Sequence, residues 1–328
     1  MSTSGHSSAT KQLLRVTEPR AFRRAAPLAA AFCVGLLNAV QARMNGGLAH
    51  AWGSPLEAAF FSFSTGLLLL TLYVVLSPRT RAALRRIGSA ARSRQLRPWQ
   101  LLGGLCGATF VIIQSWAVPM TGVAVFTVAL VAGQSANSIL VDRLGLGPLG
   151  IVPLTGQRVA AAALSVGAVL IAVSSRLTGE LQVPFGVLFA SLIAGMLVAF
   201  QQAFNGRVTV HARSAIAATW VNFLLGSTII AVVLGSFILH DRSALVGLGG
   251  ASWWHYCGGA VGVVFIALAA WAVTQVGVLV TALLAVSGQL VSSLTLDIFL
   301  PTQGSRVTVS LVVGVVIAFV AVLVAARG

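Results

Sequence analysis

The sequence carries very little charge. Only 8% of its 328 residues are charged and 57% are hydrophobic, whereas a soluble domain carries about 25% charged residues. So few ionisable groups cannot cover a water-facing surface of this size. A soluble fold is therefore excluded, and the long apolar runs predict a multi-pass protein of the cell membrane.

Acidic residues are the scarcest group. Six Asp and Glu residues stand against 21 Lys and Arg, which gives a formal net charge of +15. On a soluble protein this excess would indicate nucleic-acid binding. Here the basic residues occupy short gaps between apolar runs, so we expect no nucleic-acid partner. Arginines in such gaps orient membrane helices, and they can attract anionic lipid at the cytoplasmic face.

Catalytic and metal-binding patterns are missing from the sequence. Cys33, Cys106 and Cys257 lie in apolar runs, their number is odd, and their spacing fits neither a disulfide framework nor a zinc site. The five histidines form no HExxH motif, and neither a P-loop nor a GxSxG motif occurs. We therefore expect no enzyme, no cofactor, no metal and no pump driven directly by ATP.

Ten apolar runs are present, and each is about 17–24 residues long, which is the length that a ~30 Å hydrocarbon layer requires. They predict an all-α integral membrane fold with ten transmembrane helices, preceded by a basic cytoplasmic tail at residues 1–26. The predicted spans are 27–44, 56–76, 100–118, 122–141, 152–174, 184–204, 216–238, 254–273, 277–297 and 307–326.

The distribution of basic residues predicts the orientation. With the N-terminus inside the cell, 17 Lys and Arg fall in cytoplasmic segments and 4 in outer segments. Seven of the cytoplasmic ones lie in the segment 77–98. Because cytoplasmic loops are enriched in Lys and Arg, this bias places both termini in the cytoplasm.

The chain contains an internal repeat. AVQARMNG (Ala39–Gly46) returns as AFQQAFNG (Ala199–Gly206), so Ala, Gln, Asn and Gly recur 160 residues later. After a shorter middle loop the offset becomes 155, and the matches again include Gly, Gln, Trp and Asp. The clearest of these pairs are Trp99–Trp254, Gly103–Gly258, Gly104–Gly259, Gly107–Gly262, Trp116–Trp271, Gln134–Gln289 and Asp142–Asp297. Chance similarity between apolar runs would not match these residue types.

The repeat divides the chain into a first five-helix unit, residues 27–175, and a second, residues 176–328. Because five is odd, the second unit enters the membrane from the opposite side. Two such inverted repeats are the layout of many secondary transporters, which bind substrate near the midplane between the repeats.

This pattern resembles the EamA-like drug/metabolite transporter superfamily and, within it, the inner-membrane exporters of the YdcZ type in their tandem two-repeat form. The residues that carry the resemblance are Gln41, Asn45, Gly46, Ser54-Pro55, Trp99, Gly103-Gly104, Gly133-Gln134, Asp142 and their second-half partners. The resemblance implies an α-helical inverted-repeat transporter of small organic molecules. The halves differ at one place, where Ala42, Arg43 and Met44 correspond to Gln202, Ala203 and Phe204.

Neutral amides are the main candidates for binding substrate. Gln41 with Asn45, and Gln201 with Asn205, are spaced i, i+4 and so share one helix face. Gln134 and Gln289 lie in the middle of spans four and nine. An amide both donates and accepts hydrogen bonds, so it can bind a polar solute or tie two helices together. Both roles remain open for Gln134 and Gln289.

Three further sets of matched residues each have two interpretations. Trp116 and Trp271 either anchor their helices at the interface or stack on substrate. Asp142 and Asp297 either pair with Arg143, Arg158 or Arg306, or serve in proton coupling or gating. The GxxxG spacings that begin at Gly103 and Gly258 provide tight helix packing or a sliding surface.

We therefore expect a secondary active transporter that exports a small organic metabolite or drug by alternating access. The alternative is a non-transporting membrane scaffold or partner subunit. The expected partners are the substrate and anionic lipid, and the sequence leaves homodimer formation open. A channel is disfavoured because no ring of repeated charges is visible.

Overall fold

All regular secondary structure among the described residues is helical. The computed structural model describes residues 20–151, 153, 155–177, 184–240, 249–302 and 305–325. Most of the predicted tail and Arg242 lie outside these ranges, as does the side chain of Arg158. The helices are α1 Arg20–Trp52, α2 Pro55–Leu76, α3 Pro78–Arg92, α4 Gly103–Thr121, α5 Val123–Arg143, α6 Gly156–Leu177, α7 Phe185–Ala212, α8 Ala215–His240, α9 Gly258–Phe299 and α10 Val309–Ala325.

Eight helical segments within these ranges are long and apolar enough to cross a membrane. Shorter apolar stretches, Val159–Ala172 and Val309–Ala321, correspond to the predicted fifth and tenth spans, whose crossing of the bilayer remains a prediction. The eight segments are Ala25–Trp52, Pro55–Leu76, Pro98–Thr121, Val123–Arg143, Phe185–Ala212, Ala215–His240, Trp253–Val278 and Val280–Phe299.

Two glycines interrupt the helical backbone between spans three and four and between spans eight and nine. Gly122 has φ 79° and ψ 164°, and Gly277 has φ 83° and ψ 170°. These positive φ values favour glycine because it has no Cβ. Gly277 therefore divides α9 into a first arm, 258–276, and a second arm, 278–299.

Serine side chains cap the starts of three helices. The Ser54 hydroxyl accepts from the Glu57 N–H (3.3 Å), Ser214 accepts from Ala217 (3.2 Å) and Ser77 from Thr80. An N-cap oxygen satisfies one of the N–H groups that the first helical turn leaves without a partner. Ser54 and Ser214, which are repeat equivalents, thus cap equivalent helices of the two halves.

Two sequence-based boundaries were wrong. The segment 77–98 was expected to be a loop, but it contains α3, whose buried face includes Ala83 and Ile87. Its arginines keep the mean hydropathy too low for a hydropathy scan to find it. In addition, α1 and α7 run about two turns beyond the predicted spans. Arg207, which falls beyond the predicted span 184–204, consequently lies inside a helix.

At Gly104 and Gly259, the contact that the first half makes with the second is matched by the equivalent contact that the second half makes with the first. The Gly104 backbone lies against Asn222 and Gly226 of α8, and its repeat partner Gly259 lies against Ser62 and Gly66 of α2. Each glycine is so close to the facing backbone that a Cβ there would collide with it. Small residues permit this backbone approach, so the predicted tight packing at the GxxxG spacings is confirmed.

Phe63 and Phe223 lie where the halves meet. They are repeat equivalents, yet their rings contact each other with centroids 5.0 Å apart. Each ring also fills the space opposite a glycine of the other half: Phe223 lies against Gly66, and Phe63 lies against Gly226. Equivalent residues of the two halves thus contact each other where the halves meet.

The C-terminal parts of α1 and α7 lie near opposite ends of α4. Gly103, at its start, lies against Asn205 of α7, whereas Val118, fifteen residues later, lies against Gly46 of α1. Fifteen helical residues span about 22 Å. The first arm of α9 repeats the arrangement, with Gly258 against Asn45 and Val273 against Gly206.

We predict that Gly104→Ala lowers the free energy of unfolding by about 1–3 kcal/mol, because the added methyl group collides with the Asn222 carbonyl oxygen and the Gly226 backbone. The matched control is Gly167→Ala in α6, where a Cβ meets nothing within 4 Å. That variant should be neutral or more stable by up to about 1 kcal/mol. Thermal unfolding in detergent measures both, and equal effects would contradict the packing described.

Candidate functional site

The first amide set joins α1 to α4 and α9. Gln41 donates through Nε2 to the Gly258 carbonyl oxygen (3.0 Å). Asn45 donates to Oε1 of Gln114 (3.1 Å), and Gln114 in turn donates to Asn38 at 3.5 Å. All four amide side chains are buried. The predicted Gln41–Asn45 face is therefore part of a polar cluster in the interior of the bundle.

The second amide set joins α7 to α8 and uses different partners. Gln201 donates to Oδ1 of Asn222 (3.3 Å), and Asn222 donates to Oδ1 of Asn205 (3.1 Å). These three side chains are buried as well. Both sets occupy equivalent places in the repeat, but their hydrogen-bond networks are not copies of each other.

Glycines make the room in which these amides lie. A Cβ on Gly107 would collide with the Gln201 amide, and one on Gly262 would collide with Gln41. A Cβ on Gly103 would meet Asn205 in the same way. The GxxxG spacings thus bring helix backbones together and also accommodate the polar side chains of the opposite half.

Several buried amide atoms have no hydrogen-bond partner among the described protein groups. They include Oε1 of Gln41, Oδ1 of Asn45, Oε1 of Gln289, and both Oε1 and Nε2 of Gln134. Gln134 is fully buried. An unpaired buried polar group costs about 1–3 kcal/mol. Such atoms can hydrogen-bond a polar solute that enters between the helices.

The two predicted tryptophans lie elsewhere. Trp116 is 40% exposed and Trp271 is 37% exposed, so neither is enclosed with the amide sets. Trp271 lines an apolar groove between α2, α8 and α9. These positions favour interfacial anchoring, and stacking on substrate stays a prediction that the placement does not support.

Asp297 binds the start of a helix in the other half. Its carboxylate accepts from the backbone N–H groups of Val123 (3.0 Å) and Ala124 (2.8 Å), directly after the turn at Gly122. The positive end of the α5 dipole favours a carboxylate there, which offsets the unfavourable C-terminal position of Asp297 on α9. The sequence did not predict these backbone partners. Asp142, its repeat equivalent, is likewise buried at the end of α5.

Arg43 holds the chain immediately after α9. Its Nε donates to the Leu300 carbonyl oxygen (2.8 Å) and an Nη donates to that of Pro301 (3.3 Å). The guanidinium also lies over the Trp254 ring, 5.3 Å from its centroid. We call this arrangement the Arg43 clamp.

Arg207 makes the corresponding clamp after α5. It donates through Nε to the Leu146 carbonyl oxygen (3.2 Å) and through an Nη to that of Gly145 (2.6 Å). Gly145 and Leu146 are the repeat equivalents of Leu300 and Pro301. Because the C-terminal parts of α1 and α7 lie near opposite ends of α4, the Arg207 clamp and the Arg43 clamp hold opposite ends of the bundle.

A polar cavity of about 350 Å³ lies at the Arg43 end. Arg43, His50, His255 and Thr302 are part of its wall, together with the backbone near Gly46. Both ring nitrogens of His255 and the hydroxyl of Thr302 have no hydrogen-bond partner among the described groups. The cavity therefore places unpaired polar groups beside the Arg43 clamp.

The repeat comparison missed several participants. Asn38, Gln114 and Asn222 complete the amide sets, but their equivalents are Val198, Ala269 and Ser62, so a search for matched residues passes over them. The sequence indicated these three residues only as amides within apolar runs. Among the described residues, no group of three or more His, Cys, Asp or Glu side chains is placed to hold a metal.

Comparison with known families gives one extensive match. The sequence profile of the family described as "Putative inner membrane exporter, YdcZ" matches residues 26–171 and 186–324, which fall in the two halves of the repeat. No curated protein matches the chain significantly.

One solved structure, described as "Crystal structure of protein", aligns with 91% of this chain and 97% of its own chain, with a TM-score of 0.58 and 17% sequence identity. At that identity the likeness shows the fold alone.

We predict that the two clamps act locally and separately. Arg43→Ala should increase amide hydrogen exchange in residues 298–302 and leave 144–150 unchanged, because it removes the two bonds to the Leu300 and Pro301 carbonyls. Arg207→Ala should have the reverse effect. Each variant is the control for the other. Equal changes in both segments, or none, would contradict the assignment.

Proposed function

This chain belongs to the YdcZ family of inner-membrane exporters, and we propose that it is a secondary active transporter of a small organic metabolite or drug. The observation that carries the proposal is the set of buried amide atoms without protein partners between the two halves. A helix bundle that served only as a scaffold gains nothing from them, because each costs stability. A transporter uses such atoms when a solute replaces its hydrogen bonds to water.

The proposed architecture is ten transmembrane helices in two inverted repeats, residues 27–175 and 176–328, with both termini in the cytoplasm. The exchanged contacts at Gly104 and Gly259 support it. Gly46 and Gly206 lie near opposite ends of α4 and of the first arm of α9, which also supports this architecture. The excess of basic residues in the cytoplasmic segments gives further support. In this arrangement the amide sets lie on either side of the midplane, where secondary transporters of this design bind substrate.

The proposed substrate contacts are neutral. Gln41 and Asn45 from the first half, and Gln201 and Asn205 from the second, would bind polar groups of the solute, and Gln134 and Gln289 would add further donors and acceptors. Amides satisfy a solute that carries both donors and acceptors without requiring it to be charged. A small, polar, uncharged or weakly charged organic molecule fits this chemistry.

The proposed mechanism opens the two ends in turn. Release of the Arg43 clamp would free the chain after α9 and expose the first amide set, while the Arg207 clamp stays closed. In the second state the Arg207 clamp would open while the Arg43 clamp stays closed. Asp297 connects the end of α9 to the start of α5 through two backbone hydrogen bonds, so its protonation would weaken that connection. We propose that Asp142 serves the second arm of α9 in the same way, and that an ion or substrate gradient drives the cycle.

We predict that Gln134→Leu raises the melting temperature but abolishes transport. The substitution removes a buried amide with two unpaired atoms and leaves an apolar side chain of similar size, which removes a cost of about 1–3 kcal/mol. Transport should fail because the same atoms would bind the solute. The matched control is Gln275→Leu, since that amide is exposed and near the turn of α9.

The assay begins with a panel of metabolites, screened for thermal stabilisation of the purified protein, and continues with flux of the best one in proteoliposomes. If Gln134→Leu lowers the melting temperature and leaves flux intact, Gln134 ties helices together and does not bind substrate. If no panel member gives flux and none stabilises the protein, the scaffold interpretation is favoured.

We further predict that Asp297→Asn and Asp142→Asn each abolish the response of flux to a pH gradient. An Asn keeps an acceptor oxygen for the helix N-terminus, so folding should be retained, but it cannot exchange a proton. Counterflow without a gradient should persist and serves as the control. An unchanged pH response would restrict both carboxylates to a structural role.

A further inference from the structure

Helix α3 lies along the side of the bundle as an amphipathic element. Ala83, Ile87 and Ala90 are buried in one cluster with Val208 and Ala212 of α7. Its arginines are exposed, and they are Arg79, Arg81, Arg85, Arg86 and Arg92. An amphipathic helix with a basic polar face is suited to the surface of an anionic membrane.

Two of these arginines line a pocket with a third that directly follows the last residue of α7. Arg79 and Arg86 lie there beside Arg213, in a space of about 580 Å³. Arg86 also donates to the Ala212 carbonyl oxygen (3.1 Å), which holds its guanidinium beside Arg213. No carboxylate is among the described residues that line the pocket. Three cations are thus held together without an acidic side chain between them.

Two helix N-termini lie at this basic pocket. Ser77 caps the start of α3 and Ser214 caps the start of α8, and both serines line the pocket. The partial positive charge at a helix N-terminus favours anions. The cations and the helix ends therefore favour the same ligand chemistry, that of a phosphate or a similar anion.

The basic pocket continues into an apolar groove of about 620 Å³. Tyr73, Ser214 and Ile216 line both spaces, so the two are contiguous. The rest of the groove lining includes Leu69, Val264, Leu268 and Trp271, and a hydrogen bond from the Trp220 indole to Thr71 (3.1 Å) ties α8 to α2. A free anion would use only the basic end, whereas a molecule with a charged head and an apolar chain would occupy both.

We propose that this continuous space is a binding site for an anionic phospholipid, with its phosphate at Arg79, Arg86 and Arg213 and one acyl chain in the groove between α2, α8 and α9. Basic pockets between transmembrane helices at the cytoplasmic side bind anionic lipid headgroups. The site lies where α3 joins α2, α7 and α8, so a bound lipid would connect these helices. The proposal does not depend on transport.

The test is native mass spectrometry of the purified protein with phosphatidylglycerol and phosphatidylcholine of equal chain length. The wild type should retain phosphatidylglycerol preferentially. Replacing Arg79, Arg86 and Arg213 by Gln should reduce that preference about tenfold or more. The matched control replaces Arg81, Arg85 and Arg92 by Gln, which removes the same charge from the other exposed side of α3. It should retain most of the preference. Equal losses in both triple variants would overturn the proposal, since they would indicate attraction to a basic surface without a site.

A second experiment tests the apolar groove and asks whether the bound phosphate belongs to a lipid or is a free anion. Ala267→Trp fills the groove without changing the charge, and it should weaken phosphatidylglycerol retention, whereas Val309→Trp on exposed α10 should not. Inorganic phosphate and glycerol phosphate should fail to displace the lipid at equal concentration. Displacement by either, or retention unaffected by Ala267→Trp, would overturn the assignment of the groove to an acyl chain.

Discussion

The structure depends on the close approach of helix backbones at glycine. Gly104 and Gly259 bring α4 and α9 against the helices of the opposite half, and Gly107 and Gly262 leave the volume in which Gln201 and Gln41 are buried. In an apolar solvent a buried amide must find partners within the protein. Without these glycines the amides would have no room between the helices, and the halves could not meet along Phe63 and Phe223.

The same contacts explain why the two ends of the bundle can behave independently. The clamps at Arg43 and Arg207 hold equivalent segments of chain, but each is made by a helix of the other half. Asp297 makes a third connection between halves through backbone N–H groups. A movement of one half against the other must therefore break these hydrogen bonds.

The sequence predicted the parts of this arrangement that recur. Matched glycines identified the packing surfaces, and Gln41 and Asn45 proved to be buried together. The repeat could not indicate Asn38, Gln114 or Asn222, because each half completes its amide set with residues that the other lacks. Hydropathy ended the helix before Arg207, since a helix can continue through an arginine whose guanidinium reaches backbone carbonyls. It also missed α3, whose evidence was the periodic spacing of Ala83, Ile87 and Ala90 among arginines.

The account requires that equivalent positions of the two halves face opposite sides of the membrane. Gly53 and Arg213 are such a pair, both exposed and both with positive φ at the ends of α1 and α7. Single cysteines at these positions, in a protein whose native cysteines are replaced by alanine, can be labelled with a membrane-impermeant maleimide in intact cells and in inverted vesicles. The account predicts labelling of Gly53→Cys from outside only and of Arg213→Cys from the cytoplasmic side only. Labelling of both from the same side would contradict it.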